Sequence, residues 1–359
     1  MLKKQKHVVM RNFGSTTKMS LSIPTYASPR VTLTSEGGAS CEIGVWGAHV
    51  LSWKDATGTD LLYMSSGAKF EAGKTALRGG IPICWPAFNT KKPSVGKHGF
   101  VRTATHDEWK VETSSASSAT LTFRTTFGRC IGDGTGPDDG GGRSTSSEEA
   151  VSTHTAPVDL SVDFLLTDTA LALQLRVKNG HGSAALPFSG ALHTYFAKGA
   201  DQKLVVRGFK DRYEYTRELG KEWKNEDDEV AVSGDMEVER MFYVPSVIDD
   251  GHSVPDPSPS TLSDLIFTSA YSKEPATSFA ATSNRPTPAK LHLYQSKSLP
   301  DTVVWNIGKN VPEKIPKDLD DPAAYICVEP GIIEAEASVL PGKTWVGWHV
   351  MQCVQDAGS

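Results

Sequence analysis

The chain has 359 residues, a formal net charge of −5 and 38% hydrophobic residues. With no large block of one sign, this balance excludes a nucleic-acid binder that relies on bulk positive charge; a local basic pocket for one small anion stays open. No apolar run approaches the roughly 20 residues of a membrane span. The basic start, Met1-Leu-Lys-Lys-Gln-Lys-His, lacks the apolar segment of a secretory signal. A cytoplasmic chain without membrane or nucleic-acid partners is therefore expected.

The hydrophobic content lies below the roughly 45–50% of a typical globular chain. The deficit is local, concentrated in the polar stretches Arg129–Pro157 and Ser246–Ser263, so the remainder can still bury a core. Five cysteines, Cys41, Cys84, Cys130, Cys327 and Cys353, include no CxxC pair. Such usage reads as reduced, buried thiols, and zinc ligation would need a tighter cluster.

In chain order, residues 1–20 read as a disordered lead-in and 21–355 as a single domain. Strand-like runs start with Arg30-Val-Thr-Leu-Thr and Cys41-Glu-Ile-Gly-Val-Trp. Others are Ala119–Phe127, Val158–Leu166, Ala170–Val177, Lys203–Phe209 and Lys343–Val350. Most alternate apolar with polar residues, the period-2 pattern of strands with one buried face. Asn179-Gly180 and Asp250-Gly251 are turn signals. Without a long stretch of 3.6-residue periodicity, the expectation is all-β: a large antiparallel β-sandwich with few short helices. The segments near 129–157 and 246–263 are too polar to offset their ordering entropy and read as surface insertions of that domain.

Four segments depart from the strand-and-turn pattern. In Ala76-Leu-Arg78-Gly-Gly-Ile-Pro-Ile-Cys-Trp-Pro86, Gly79-Gly80 lets backbone approach a ligand. Arg78 offers a forked cation for phosphate or carboxylate, unless it is a surface residue before a turn. In Lys97-His98-Gly-Phe100-Val-Arg102, a strand would place His98, Phe100 and Arg102 on one face, with the ring free to stack on a sugar. A partly exposed edge strand is the competing reading. In Gly190-Ala-Leu-His193-Thr-Tyr195-Phe196, alternation sets His193 beside Tyr195. The imidazole can exchange a proton near neutral pH, although a lone histidine is more often structural. In Tyr325-Ile-Cys-Val-Glu329-Pro-Gly331, Pro-Gly should end an apolar strand and project Glu329 from a shielded site. Desolvation there strengthens a carboxylate as a base. The alternative is a solvated strand-end glutamate.

In this order the segments resemble the aldose 1-epimerase superfamily, and its hexose-6-phosphate branch most closely. The resemblance begins at Gly47-Ala-His-Val-Leu-Ser-Trp53 and includes Val303-Val-Trp-Asn306, covering about Thr32 to Gln352 outside the two insertions. It implies a large antiparallel sandwich with the site on one sheet. By resemblance, His193 is the general acid at the ring oxygen and Glu329 the general base at the anomeric hydroxyl. His98 holds the sugar, and Arg78 and Arg102 hold the phosphate. The family's sugar-binding aspartate is matched by Glu239 in Glu237-Val-Glu239-Arg240, one methylene longer. The family's Trp-Asn-Pro appears as Trp305-Asn306-Ile307, which loses a rigid turn.

Mutarotation needs an acid and a base at opposite ends of a hemiacetal, with no cofactor and no metal. A monomer acting on a small-molecule sugar phosphate is the resulting expectation. The competing readings are an epimerase for unphosphorylated hexoses and a non-catalytic carbohydrate-binding protein on the same fold.

Overall fold

Val158, Leu160, Val162, Phe164 and Leu166 are buried along one strand, and the residues between them are only half-buried. That alternation repeats through most of a computed structural model that describes residues 29–69, 74–132, 154–198, 204–216, 221–243, 277–281 and 290–354. Every strand pairing among the described residues is antiparallel, and they form three sheets. The expected all-β sandwich is what the chain forms.

The smallest sheet comprises β1 (Arg30–Thr34), β2 (Ser40–Gly44) and β3 (His49–Lys54). An eight-stranded sheet runs β13 (Lys221–Lys224), β12 (Tyr213–Thr216), β15 (Val238–Tyr243), β18 (Asp301–Asn306), β19 (Tyr325–Val339), β9 (Leu186–Leu192), β4 (Ile83–Cys84), with β10 (Tyr195–Ala197) also paired to β19. A nine-stranded sheet runs β14 (Glu229–Val232), β11 (Leu204–Arg207), β16 (Thr277–Ala281), β17 (Lys290–Gln295), β20 (Thr344–Val354), β8 (Ala170–Asn179), β7 (Pro157–Leu166), β6 (Ser118–Thr126), β5 (Trp109–Ser114). The α-helix Phe127–Ile131 and short 3-10 turns complete the regular elements among the described residues.

Residues from both large sheets meet in one core. Leu160, Phe164, Leu173 and Met351 come from the nine-stranded sheet, and Phe188, Leu192, Val304, Ile326 and Val328 from the eight-stranded one. Burying each such side chain contributes roughly 1.5–3 kcal/mol before entropy. On the other face of β8, Ala170 and Ala172 pack with Trp348 and Val350. Small residues there leave room for the indole.

Asn179-Gly180 marks a crossing between the sheets rather than a hairpin. The Asn179 side-chain amide donates to the carbonyls of Ala184 and Val339, both at 2.8 Å, and its oxygen accepts from His181 N–H at 2.9 Å. One fully buried side chain thereby takes over ladder bonds that the departing strand gives up. Residues 1–20, Asp250-Gly251, and the bulk of both polar insertions lie outside the described residues.

Candidate active site

β19 carries the site. Its even-numbered residues Ile326 and Val328 enter the sandwich core, so Tyr325, Cys327 and Glu329 face the opposite way. The strand does not end at Pro330, as the sequence suggested. It continues to Val339 with a register irregularity between Ile332 and Ala337. Residues 328–330 pass the gap between β10, paired with 325–327, and β9, paired from Gly331 onward. A residue without an N–H is tolerated there because the ladder on that side is already interrupted.

Ladder register extends this face sideways. Tyr195 and Trp305 each lie opposite Cys327, from β10 and β18, and Glu239 on β15 lies opposite Trp305. Tyr195, Cys327, Trp305 and Glu239 thus form one row across four strands, with Val303 and Glu329 in the next. At about 4.8 Å per strand, Glu239 stands roughly 10 Å from Cys327.

The break between β9 and β10 presents His193. Thr194 N–H turns back to the Leu192 carbonyl at 2.8 Å. The N–H groups of His193 and Tyr195 donate to the carbonyls of Pro82 and Gly80 at 3.0 and 2.9 Å. His193 Nδ1 then lies 3.3 Å from Glu329 Oε1. The Tyr195 ring stacks parallel to the imidazole, at 4.7 Å and 3°, and fixes its plane. Trp305 meets it edge-on at 5.8 Å. Both side chains are buried, yet His193 Nδ1 and Glu329 Oε2 have no hydrogen-bond partner. A native interior rarely leaves such groups unsatisfied, because each costs about 1–3 kcal/mol.

Electrostatics separate the pair. Burial, with His98, Arg102 and Arg78 adding to it, holds His193 well below its ordinary range. Burial, followed by the charge of Glu239, pushes Glu329 well above the usual carboxylate range. Both directions favour the uncharged forms: a neutral imidazole beside a protonated carboxyl, one proton within reach of both.

The Gly79-Gly80 segment brings Arg78 to the site. Gly79 has φ of +124° and Gly80 of +64°, and a Cβ on Gly80 would stand 2.0 Å from the Val50 carbonyl oxygen. Only glycine fits at that approach. His49, fully buried, supports the loop through its Nε2 contact of 2.8 Å with the Gly79 carbonyl. Arg78 Nε donates to both carboxylate oxygens of Asp318, at 3.3 and 3.2 Å. Asp318 had no motif to announce it.

Residues Lys97–Arg102 do not form the expected strand. They make a turn with His98 at φ of +62°, followed by a 3-10 turn over Val101–Thr103. Phe100 consequently does not share a face with His98 and Arg102, as a strand would require, and packs against Trp85 and Phe123, with ring centroids at 6.0 and 6.3 Å. His98 still reaches His193, centroid to centroid 5.7 Å, and its Nδ1 accepts from Asn89 N–H at 3.2 Å. Its ring proton therefore belongs on Nε2. Arg102 donates from Nη2 to the Lys97 carbonyl at 2.9 Å, while its buried Nε has no partner.

The turn that a proline would have stiffened after Asn306 is held by side-chain bonds instead. Asn306 Nδ2 donates to the carbonyls of Pro322 and Tyr325 at 2.8 and 2.9 Å, and its oxygen accepts from Gly308 N–H at 2.9 Å. The six residues singled out in the sequence lie in one locality. His193 meets His98 and Glu329 by contact, and Arg78, Arg102 and Glu239 bear on the His193–Glu329 pair through charge. Sequence reading passed over Cys327 as a member of the site face, although its two-residue spacing from Glu329 was the available signal.

Comparison with known proteins gives this geometry a context. Residues 29–128 match the sequence profile of the family described as Aldose 1-epimerase. A protein from Cenchrus ciliaris named "Putative glucose-6-phosphate 1-epimerase" is 27% identical over 330 residues, 90% of this chain and 84% of that protein. A protein of the same name from Escherichia coli (strain K12) is 30% identical over 170 residues, and the match spans about half of each, 46% of this chain and 48% of that protein. Among solved structures, "a putative mutarotase" from Salmonella typhimurium superposes with a TM-score of 0.61 at 20% identity, covering 90% of each chain. A galactose mutarotase related enzyme from Lactobacillus acidophilus gives 0.59 at 14% identity, covering 91% of this chain and 97% of its own. These structural likenesses show the galactose mutarotase-like fold, and the motif resemblance agrees with the family match.

Proposed function

We propose that this chain, a relative of the aldose 1-epimerases on the galactose mutarotase-like fold, is a hexose-6-phosphate 1-epimerase that interconverts the anomers of glucose 6-phosphate. The observation that carries this reading is the buried His193–Glu329 pair, 3.3 Å apart, with His193 Nδ1 and Glu329 Oε2 left without hydrogen-bond partners. An acid and a base so close can exchange protons with two oxygens on one carbon, the arrangement a hemiacetal offers.

In the forward direction Glu329 takes the proton of the anomeric hydroxyl and His193 gives one to the ring oxygen. The C1–O5 bond breaks and the aldehyde forms. Rotation about C1–C2 and reclosure, with the two transfers reversed, yields the other anomer and restores both groups. His98 and Glu239 hold sugar hydroxyls, and the aromatic rings of Trp305 and Tyr195 border the sugar. In the empty site the shared proton rests on Glu329, because burial disfavours both charges and the arginines disfavour an imidazolium. A phosphate against Arg78 and Arg102 would offset the arginines' part of what holds His193 down, a part smaller than burial, and so lower the cost of placing the proton on the imidazole.

The direct test is NMR exchange between the α and β anomers of glucose 6-phosphate. Acceleration by the wild-type chain that disappears in Glu329→Gln supports the reading. Tight binding without acceleration would instead mean a carbohydrate-binding protein. A second reading, an epimerase for unphosphorylated aldoses, draws on the ion pair that already engages Arg78 with Asp318. Equal efficiency on glucose and glucose 6-phosphate would favour it. The chain is read as a single domain and as a monomer in the cytoplasm; size-exclusion chromatography with light scattering checks the monomer. Among the described residues no helix is long and apolar enough to cross a membrane.

A further inference from the structure

Spacing along the sequence shows no cysteine cluster, but the sheet builds a mixed one. Cys327 Sγ, a nitrogen of His193 and a carboxylate oxygen of Glu329 all lie within 4.8 Å of one another, and all three residues are buried. Cys327 and Glu329 are two residues apart on one face of β19, and His193 enters from the break between β9 and β10. Tyr195 stacks on the imidazole and keeps it turned toward the other two. His193 Nδ1 and Glu329 Oε2 are buried without hydrogen-bond partners, so two polar atoms of this cluster are left for a ligand to satisfy. Proton transfer to a sugar makes no use of Cys327.

We propose that Cys327 Sγ, His193 Nδ1 and the Glu329 carboxylate form a binding site for a thiophilic divalent cation of the zinc type, and that its occupancy shuts off the epimerase site. The donor set is thiolate, imidazole and carboxylate, the mixture zinc takes in four-coordinate sites. Metal–ligand distances of about 2.0–2.3 Å set tetrahedral donors roughly 3.3–3.7 Å apart. The His193–Glu329 separation of 3.3 Å already meets that spacing, and small rotamer changes bring in the sulfur. His193 keeps 10% of its side chain open to solvent, against 2% for Glu329. The fourth ligand, a water, would come from that side. A metal here occupies the imidazole and the carboxylate that the reaction needs, so it inhibits in competition with sugar. Inhibition rests on the function proposed above; metal binding does not.

Cobalt(II), titrated into the full-length chain, is the probe. A thiolate ligand gives a near-ultraviolet charge-transfer band with cobalt, which filled-shell zinc cannot show. The expected result is a band that saturates at one cobalt per chain, weakens with glucose 6-phosphate and is absent in Cys327→Ala. Cys84→Ala, a second buried thiol, should retain it. Zinc should inhibit anomer exchange, and Cys327→Ala should weaken that inhibition by more than about 100-fold, the upper end of the cost of losing an outer-shell partner. No band in the wild type, or a band that survives in Cys327→Ala, overturns the site. If that variant does not fold, X-ray absorption of the zinc-loaded wild type decides: one sulfur among nitrogen and oxygen donors supports the site, and a shell without sulfur refutes it. A chain that binds cobalt through Cys327 yet accelerates no exchange would sink the epimerase reading and leave the metal site standing.

Discussion

Two carboxylates are buried on neighbouring strands of one sheet, Asp301 on β18 and Glu329 on β19, and they are treated very differently. Asp301 Oδ2 accepts from the N–H groups of Ile333 and Glu334, at 2.5 and 2.9 Å, where β19 changes register. It anchors backbone. Glu329 receives no such donors; it faces His193 and keeps Oε2 unpaired. Burial raises both groups, Asp301 to about 6 and Glu329 well above its ordinary range. Burial alone therefore does not mark a reactive carboxyl. What distinguishes Glu329 is that its neighbours leave its oxygen for something else to bind.

The largest expected effect separates the two by function. Glu329→Gln should slow enzyme-catalysed anomer exchange by about 10²–10⁴-fold, the usual worth of a general base, and leave the fold intact. Asp301→Asn keeps an acceptor for both backbone donors and should leave the rate within about twofold, a difference of less than 0.5 kcal/mol. Exchange NMR on purified variants reads both. A large rate loss in Asp301→Asn with an undisturbed Glu329→Gln would invert the assignment.

Stability against pH sharpens the same contrast. Between the unfolded carboxyl value of 3.8 and about 6, folded Asp301 holds a proton that the unfolded chain releases. Folding stability attributable to this group is therefore fullest below 3.8 and falls as pH rises through that window, by about 3 kcal/mol, then levels. Asp301→Asn removes this slope, so its urea midpoint should fall less than the wild type's between pH 4 and 6. Equal slopes would mean that Asp301 is ionised throughout. Asp301→Ala leaves two backbone donors unmatched and should lose about 1–3 kcal/mol relative to Asp301→Asn at every pH.

Much of this was legible from residue order, and the failures have physical causes. Alternation identified β1, β6, β7, β8 and β20, because strands with one buried face write a period of two into the sequence. It could not tell that Asn179-Gly180 crosses between sheets, since a turn signal does not specify where the chain goes next. Pro330 misled because local chemistry says a proline ends a strand, whereas the neighbouring gap at His193-Thr194 is a tertiary fact. Glu329 and His193 were findable because polar residues interrupt apolar runs. Asp318, 240 residues after Arg78, has no local signature, and only the fold brings it to the arginine.

The segment Lys97–Arg102 repeats the contrast between satisfied and unsatisfied groups at smaller scale. Arg102 presents a buried Nε donor without a partner. A phosphate oxygen there would make a charge-assisted bond worth about 1.5–3 kcal/mol. Arg102→Ala should thus raise KM for glucose 6-phosphate by about 10–100-fold and barely alter kinetics with glucose. Equal effects on both sugars would remove phosphate from the assignment.

Phe100, two residues earlier, is the satisfied member. Its ring lies among Trp85, Phe123 and the Arg129 guanidinium, 4.1 Å from the ring centroid. Phe100→Leu keeps the site apolar but loses the edge contact with Trp85, the tilted contact with Phe123 and the cation contact, each worth about 0.5–1 kcal/mol. A loss of about 1–2 kcal/mol in urea unfolding is expected, since these terms are not additive and leucine refills part of the volume. KM and kcat should stay as in the wild type. A raised KM with unchanged stability would mean that the ring visits the sugar face, as a strand over 97–102 would require. The positive φ of His98 and the 3-10 turn at Val101–Thr103 argue against that, because together they rotate Phe100 toward the core while leaving His98 beside His193.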